Sequence, residues 1–307
     1  MKVAALDFGS NTFLLLICEI EKGRVSQVLV DEIEVVRLAQ GMDEKKRFHP
    51  DALQRSCECL ARFSKLIEQH RPEKILAVAT SAARDAGNKQ EFIDLVGEFA
   101  IPLEIITGSR EAELTYKGSI FDQDPKGNFA IIDVGGGSTE IIGKSQAGQV
   151  RGWSVDVGSV RLTERMLPRH PLLPEDLSRL REFVSGEFEK VKDKIPHSGT
   201  PLEVIAVAGT PVALAQIEQK IDFIEERLHG YELKLEQISY WVDKLAGMSI
   251  EQRKQVPGMP AKRADIKVAG CAILEAALKA LKKDRLFVST KGVRYGVALM
   301  LAEEATQ

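Results

Sequence analysis

A chain of 307 residues is long for a single hydrophobic core and comfortable for two domains. With 44% hydrophobic and 28% charged residues its composition is that of an ordinary globular protein, and a net charge of −3 supplies no global basic field to draw it to nucleic acid. No apolar stretch reaches the ~20 residues of a membrane span, no signal-peptide pattern follows Met1-Lys2, and Cys18, Cys57, Cys59 and Cys271 form no paired CxxC motif, which reads as a cytoplasmic protein with reduced thiols.

Strand-like and helix-like runs alternate along the chain, the pattern of an α/β architecture. Apolar runs predict strands near 2–8, 12–20 and 25–31. A helix over 51–70 follows, entered through Pro50, with Leu53, Cys57, Leu60 and Ile67 on one face. Next come a strand at 74–79, a helix near 88–99, a strand near 103–106 and a helix near 109–121. The opening then recurs, with strands near 129–134, 139–144 and 149–155 before a long helix at 174–194 between Pro174 and Pro196. A strand at 202–208 with a helix after it, helices near 234–247 and 262–282, a short strand at 285–288 and a helix near 292–304 complete the order. Positions 221–233 and 249–261 are weakly patterned and read as loops. The turn-rich stretch Asp122 to Gly127 marks the boundary, giving one domain over 1–124, completed by the last helix at 292–307, and a second over 125–291.

One loop occurs twice. Asp7-Phe8-Gly9-Ser10-Asn11-Thr12 and Asp133-Val134-Gly135-Gly136-Gly137-Ser138-Thr139-Glu140 each run from an apolar strand through Asp, glycine and small polar residues into a second strand. The second strands lead into turns at Glu21-Lys22-Gly23 and Gln146-Ala147-Gly148. Glycine lets a backbone come close to a ligand and bare its N–H groups, which suits phosphate. An Asp at a strand end can hold a divalent cation or its waters. A lone copy would also fit a tight hairpin turn, and the repeat weighs against that.

Three other strand ends carry polar or glycine residues. Thr80-Ser81-Ala82-Ala83-Arg84 offers a guanidinium where α/β sheets place ligands. Gly108-Ser109-Arg110-Glu111 opens a helix, where Glu111 fits either a functional carboxylate or a simple cap. Ala206-Val207-Ala208-Gly209-Thr210 fits either a phosphate or nucleotide approach or close helix–strand packing.

These segments resemble the phosphate and adenosine motifs of the actin/sugar-kinase/heat-shock-protein superfamily. Within it the chain is most similar to the exopolyphosphatase/guanosine pentaphosphate phosphohydrolase family. Asp7 to Thr12 and Asp133 to Glu140 resemble that family's two loops. Thr80 to Arg84, Ile106 to Ala112, Asp156 to Arg161 and Arg263 to Gly270 fall in the family's order. The resemblance implies two ribonuclease-H-like (actin-like ATPase) domains with an interdomain cleft, and hydrolytic release of terminal phosphate from polyphosphate or guanosine pentaphosphate with Mg²⁺. By position, Glu111 matches the family's catalytic glutamate, the base that activates water. Asp133 and Glu140 match acids linked to catalysis and metal, and Asp7 matches the first-loop aspartate, also at the metal. Arg84, the backbone of Gly9, Ser10, Asn11, Thr12, Gly135, Gly136, Gly137 and Ser138, and the turn at Gly209 match phosphate-binding positions. A basic groove including Arg161, Arg263, Lys267 or Lys291 would carry the rest of the chain, and the family likeness suggests a homodimer. One departure stands at Arg110, where many members carry an acid; it would add a positive charge at the site's edge. The rival readings are a kinase using ATP at residues 206–210, a guanosine pentaphosphate 5′-phosphohydrolase and a non-catalytic sensor of guanosine tetra- or pentaphosphate.

Overall fold

The computed structural model describes residues 1–42, 46–123, 127–145, 148–192 and 202–305. The expected domain break at 124/125, the turn residues Gln146 and Ala147, and the expected helix end at 194 with Pro196 lie outside the described residues. The chain forms two compact units, Met1–Asp122 with Gly292–Gln307, and Gln123–Lys291.

The first unit opens with strands β1 (Lys2–Phe8), β2 (Thr12–Glu21) and β3 (Arg24–Val35), followed by helix α1 (Pro50–His70), strand β4 (Lys74–Ala79), helices α2 (Ser81–Asp85) and α3 (Lys89–Gly97), strand β5 (Leu103–Ile105) and helix α4 (Gly108–Ile120). Pro50 stands in the first turn of α1, where its missing N–H costs nothing, and His49 Nδ1 accepts from the Asp51 N–H. The second unit contains β6 (Asn128–Val134), β7 (Thr139–Lys144), β8 (Val150–Val155), α5 (Ser159–Met166), α6 (Pro174–Glu189), β9 (Leu202–Val207), α7 (Gly209–Gln219), α8 (Glu225–Leu228), β10 (Glu232–Lys234), α9 (Leu235–Ala246), α10 (Ile250–Lys254), α11 (Lys267–Ala280) and β11 (Arg285–Val288). The last helix, α12 (Val293–Glu303), belongs to the first unit.

The sequence repeat is a repeat of topology. The first sheet has the order β3-β2-β1-β4-β5 and the second β10-β11-β9-β6-β7-β8. In each, an antiparallel meander is joined through its first strand to parallel strands, β1 to β4 to β5 and β6 to β9 to β11. The second sheet adds β10 antiparallel to β11. Both are mixed sheets with helices, the expected α/β class.

Alternation along β1 and β2 sends side chains to two separate cores. Leu6, Phe8, Phe13 and Leu15 pack with Phe63 of α1 and Phe92 of α3, while Val3, Ala5, Leu16 and Cys18 face α4 and α12. Helices α4 and α12 touch backbone to backbone: a Cβ on Gly118 would lie 2.0 Å from the Gly292 carbonyl oxygen, and one on Gly296 would lie 2.0 Å from that of Leu114. Arg294, only 4% exposed, places Nε and Nη2 at 2.9 and 2.8 Å from the two carboxylate oxygens of Asp31 on β3, and Tyr295 donates to the same carboxylate at 3.3 Å. The end of the chain is thereby fastened beside the helix that carries Glu111.

Two stretches read as loops hold short elements instead: α8 and the start of β10 in 221–233, and α10 in 249–261. Three residues are too few to display a period, and β10 exists through its pairing with β11 and the burial of Leu233. The helix expected over 262–282 starts at Lys267, after a 3₁₀ turn at Ala261–Arg263. Cys18, Cys59 and Cys271 are buried free thiols and Cys57 is half-buried and free. Among the described residues no helix is long and apolar enough to cross a membrane.

Candidate active site

The two glycine loops have one construction. Each is closed by a bond across its base, Gly9 N–H to the Thr12 carbonyl at 3.1 Å and Gly135 N–H to the Ser138 carbonyl at 3.0 Å. Each has its carbonyls tied down from behind. In the first loop the Ser10 carbonyl accepts from Ala39 N–H, and the Asn11 carbonyl from the N–H groups of Val36 and Arg37. In the second, the start of α5 does the same: the Gly135 carbonyl accepts from Ser159 N–H, and that of Gly136 from the N–H groups of Val160 and Arg161. Among the described residues no acceptor takes the N–H groups of Ser10, Asn11, Gly136, Gly137 or Ser138. Uncommitted backbone donors in a tight loop form a concavity suited to an anion.

The bracing of the second loop depends on contact closer than any side chain permits. A Cβ on Gly158 would stand 2.3 Å from the Gly136 oxygen and 2.4 Å from the Gly137 carbonyl carbon. Gly158→Ala is therefore expected to lower stability by about 1–3 kcal/mol through overpacking and to reduce activity by displacing the loop. Its unfolding midpoint and its activity, measured side by side, check this.

In the first unit, Arg84 on α2 and Glu111 in the first turn of α4 form an ion pair, Nη1 to Oε2, at 2.7 Å. The same Nη1 donates to the Ile106 carbonyl at 2.9 Å. Nε and Nη2 of Arg84 have no acceptor among the described residues. Thr107 caps α4 with its hydroxyl on the Arg110 N–H at 3.3 Å, and so sets where Glu111 leaves the helix. Burial raises the Glu111 pKa above the ordinary carboxylate range, and Arg84 opposes that rise. Asp7, at the end of β1, has its pKa raised to about 7 by burial first and by the charge of Glu111 second, with Arg294 pulling the other way. Ser10 shares a 2.9 Å hydroxyl–hydroxyl bond with Ser81. Arg110 pairs with Glu113 at 3.0 Å and lies against Met300, so its charge is directed along α4.

In the second unit, register sets Asp133, Glu140 and Ser154 side by side in one row across β6, β7 and β8. Glu140 Oε1 accepts from the hydroxyls of Ser138 at 2.8 Å and Ser154 at 2.9 Å. Ser154 escaped the sequence reading; its only signal was a polar residue on a strand. At the end of β9, Ala208 has φ +72° and ψ −170°, a conformation normally reserved for glycine that costs about 1–3 kcal/mol. Beside it, the buried Lys267 donates to the Gly209 carbonyl at 2.8 Å, and Arg263 fills the space at Gly209, where a Cβ would lie 1.7 Å from Nη1. Of the cations expected along a groove, Arg161 pairs with Asp156, and Arg263 and Lys267 converge on Gly209.

A divalent cation suits the first unit's acids. Asp7 Oδ1 is buried with no hydrogen-bond partner among the described residues, and Asp7, Glu111 and Asp31 outnumber the cations Arg84 and Arg294 that act on them. Among the described residues no three His, Cys, Asp or Glu side chains gather into a cage. Mg²⁺ needs none, since it is commonly held by one or two carboxylates with water and substrate phosphates.

The chain matches the Ppx/GppA phosphatase family over residues 16–305. It is 33% identical to exopolyphosphatase 2 of Mycobacterium tuberculosis, over 98% of both chains. It is 27% identical to the guanosine-5′-triphosphate,3′-diphosphate pyrophosphatase of Vibrio atlanticus, over 99% of this chain and 60% of that one. The crystal structure of the Aquifex aeolicus Ppx/GppA family member superposes with a TM-score of 0.83 at 30% identity, covering 100% of this chain and 99% of the other. With its duplicated sheets and paired glycine loops, this protein belongs to the Ppx/GppA phosphatase family.

Proposed function

We propose that the protein is a metal-dependent exopolyphosphatase that hydrolyses the terminal phosphate of inorganic polyphosphate. The observation that carries this reading is the Glu111–Arg84 pair: a desolvated carboxylate joined to a guanidinium with two nitrogens uncommitted.

Phosphoryl transfer depends on positioning and charge stabilisation more than on covalent help from the protein. The uncommitted N–H groups of Ser10 and Asn11 in the first unit, and of Gly136, Gly137 and Ser138 in the second, are the donors that would hold phosphate oxygens. In the first unit Arg84 offers Nε and Nη2 to the terminal phosphoryl group; in the second, the turn at Gly209, with Lys267 and Arg263, is the further phosphate-binding candidate. Glu111 orients a water and takes its proton as the oxygen attacks phosphorus; the bridging P–O bond breaks, and orthophosphate and a chain one unit shorter leave. Asp7 in the first unit, and Asp133 and Glu140 in the second, are the acids that would hold Mg²⁺, which when bound would neutralise charge on phosphate oxygens. A cytoplasmic homodimer with no nucleic-acid or membrane partner completes the reading.

A second reading, guanosine pentaphosphate 5′-phosphohydrolase, keeps the same chemistry, and the Vibrio relative supports it. Phosphate release from polyphosphate and from guanosine pentaphosphate, each with Mg²⁺ and with a chelator, separates the two. The expected result is faster release from polyphosphate, abolished by the chelator and restored by Mg²⁺. Full activity in the chelator would remove the metal from the scheme, and ligand protection with no release from either substrate would favour the sensor.

A further inference from the structure

We infer that Ser154 is a positioning residue for Glu140, holding its carboxylate in the working orientation. The inference rests on the reading above, in which Glu140 serves the reaction.

A glutamate has three rotatable side-chain bonds, and one hydrogen bond leaves it free to swing about the shared contact. In this protein Glu140 Oε1 accepts hydrogen bonds from two independent places. Ser138 belongs to the glycine loop itself. Ser154 stands on β8, directly across from Glu140 in the sheet register, so its position is set by the backbone ladder and not by the loop. Two hydroxyl donors converging on Oε1 restrain that oxygen from two sides, which either donor alone would not do. Ser154 is exposed and outside the hydrophobic core, so nothing in the packing requires a serine there. A hydroxyl is required only if Glu140 must be held.

Threonine and valine at this position have the same shape and both suit a strand, and only threonine retains the hydroxyl. We expect Ser154→Val to lose on the order of 10-fold in kcat for phosphate release from polyphosphate, the scale at which partners of active-site ligands act, with KM within about twofold of the parent. Ser154→Thr should stay near the parent value, and the unfolding midpoints of both should match it. A crystal structure of the valine variant should show Glu140 in more than one rotamer. Equal kcat in the valine variant and the parent, beside an inactive Glu140→Gln control, overturns the role of Ser154 and leaves that of Glu140 standing. Equal losses in valine and threonine, or an unchanged single rotamer of Glu140 in the valine structure, overturn it too. Full turnover in Glu140→Gln overturns the reading of Glu140 and this inference with it.

Discussion

Glu111→Gln is expected to lower turnover by at least ~10²-fold, the typical contribution of a positioned base, while polyphosphate still binds. The amide has nearly the shape of the carboxylate, and its oxygen can accept from Arg84 Nη1 as Oε2 does. What it cannot do is take a proton from water. Because Arg84 keeps its second anchor on the Ile106 carbonyl, its guanidinium should stay in place to meet the phosphate. The loss should therefore fall on kcat and spare KM, and a binding titration with polyphosphate checks the second half independently. A variant with near-parental turnover would remove Glu111 as the base. One that no longer bound polyphosphate would assign the residue to binding.

Arg294→Met is expected to cost about 3–5 kcal/mol, because it strands a mostly buried carboxylate opposite an apolar chain. Asp31 is 13% exposed at the side chain and Arg294 5%, and two short bonds join them over 263 residues of sequence. After the substitution Asp31 retains only the Tyr295 hydroxyl at 3.3 Å among the donors described for it. Adding Asp31→Asn removes the stranded charge and should restore part of the loss, since an amide oxygen still accepts from Tyr295. Urea unfolding of the two single variants and the double closes the cycle. A single-variant loss below about 1 kcal/mol would place this pair with ordinary surface ion pairs.

Much of the site was legible because its signals are local. An apolar strand followed by Asp, glycine and a small polar residue specifies a tight loop whatever surrounds it, and both copies form the loops expected. Thr107 beside Glu111 is a helix start that needs only its own first turn. Other features left no local trace. The Arg84–Glu111 pair joins the last turn of α2 to the first turn of α4 across 27 residues, and Ser154 meets Glu140 only because β8 lies in register with β7. Arg110 differs from these, since its partner Glu113 stands three residues on, a spacing that the expected helix already brings together.

The amino-acid order alone determined the α/β class, the duplication, the strand positions other than β10 and the identity of the loops, because periodicity, glycine and capping residues act within a few neighbours. Only the folded chain decided which carbonyls are pinned so that loop N–H groups stay uncommitted, which cations neutralise which acids, and that the last helix closes against α4 through Gly118, Gly292 and Gly296. Those outcomes depend on bonds and contacts between residues distant in sequence, and such pairings carry no period for a linear reading to detect.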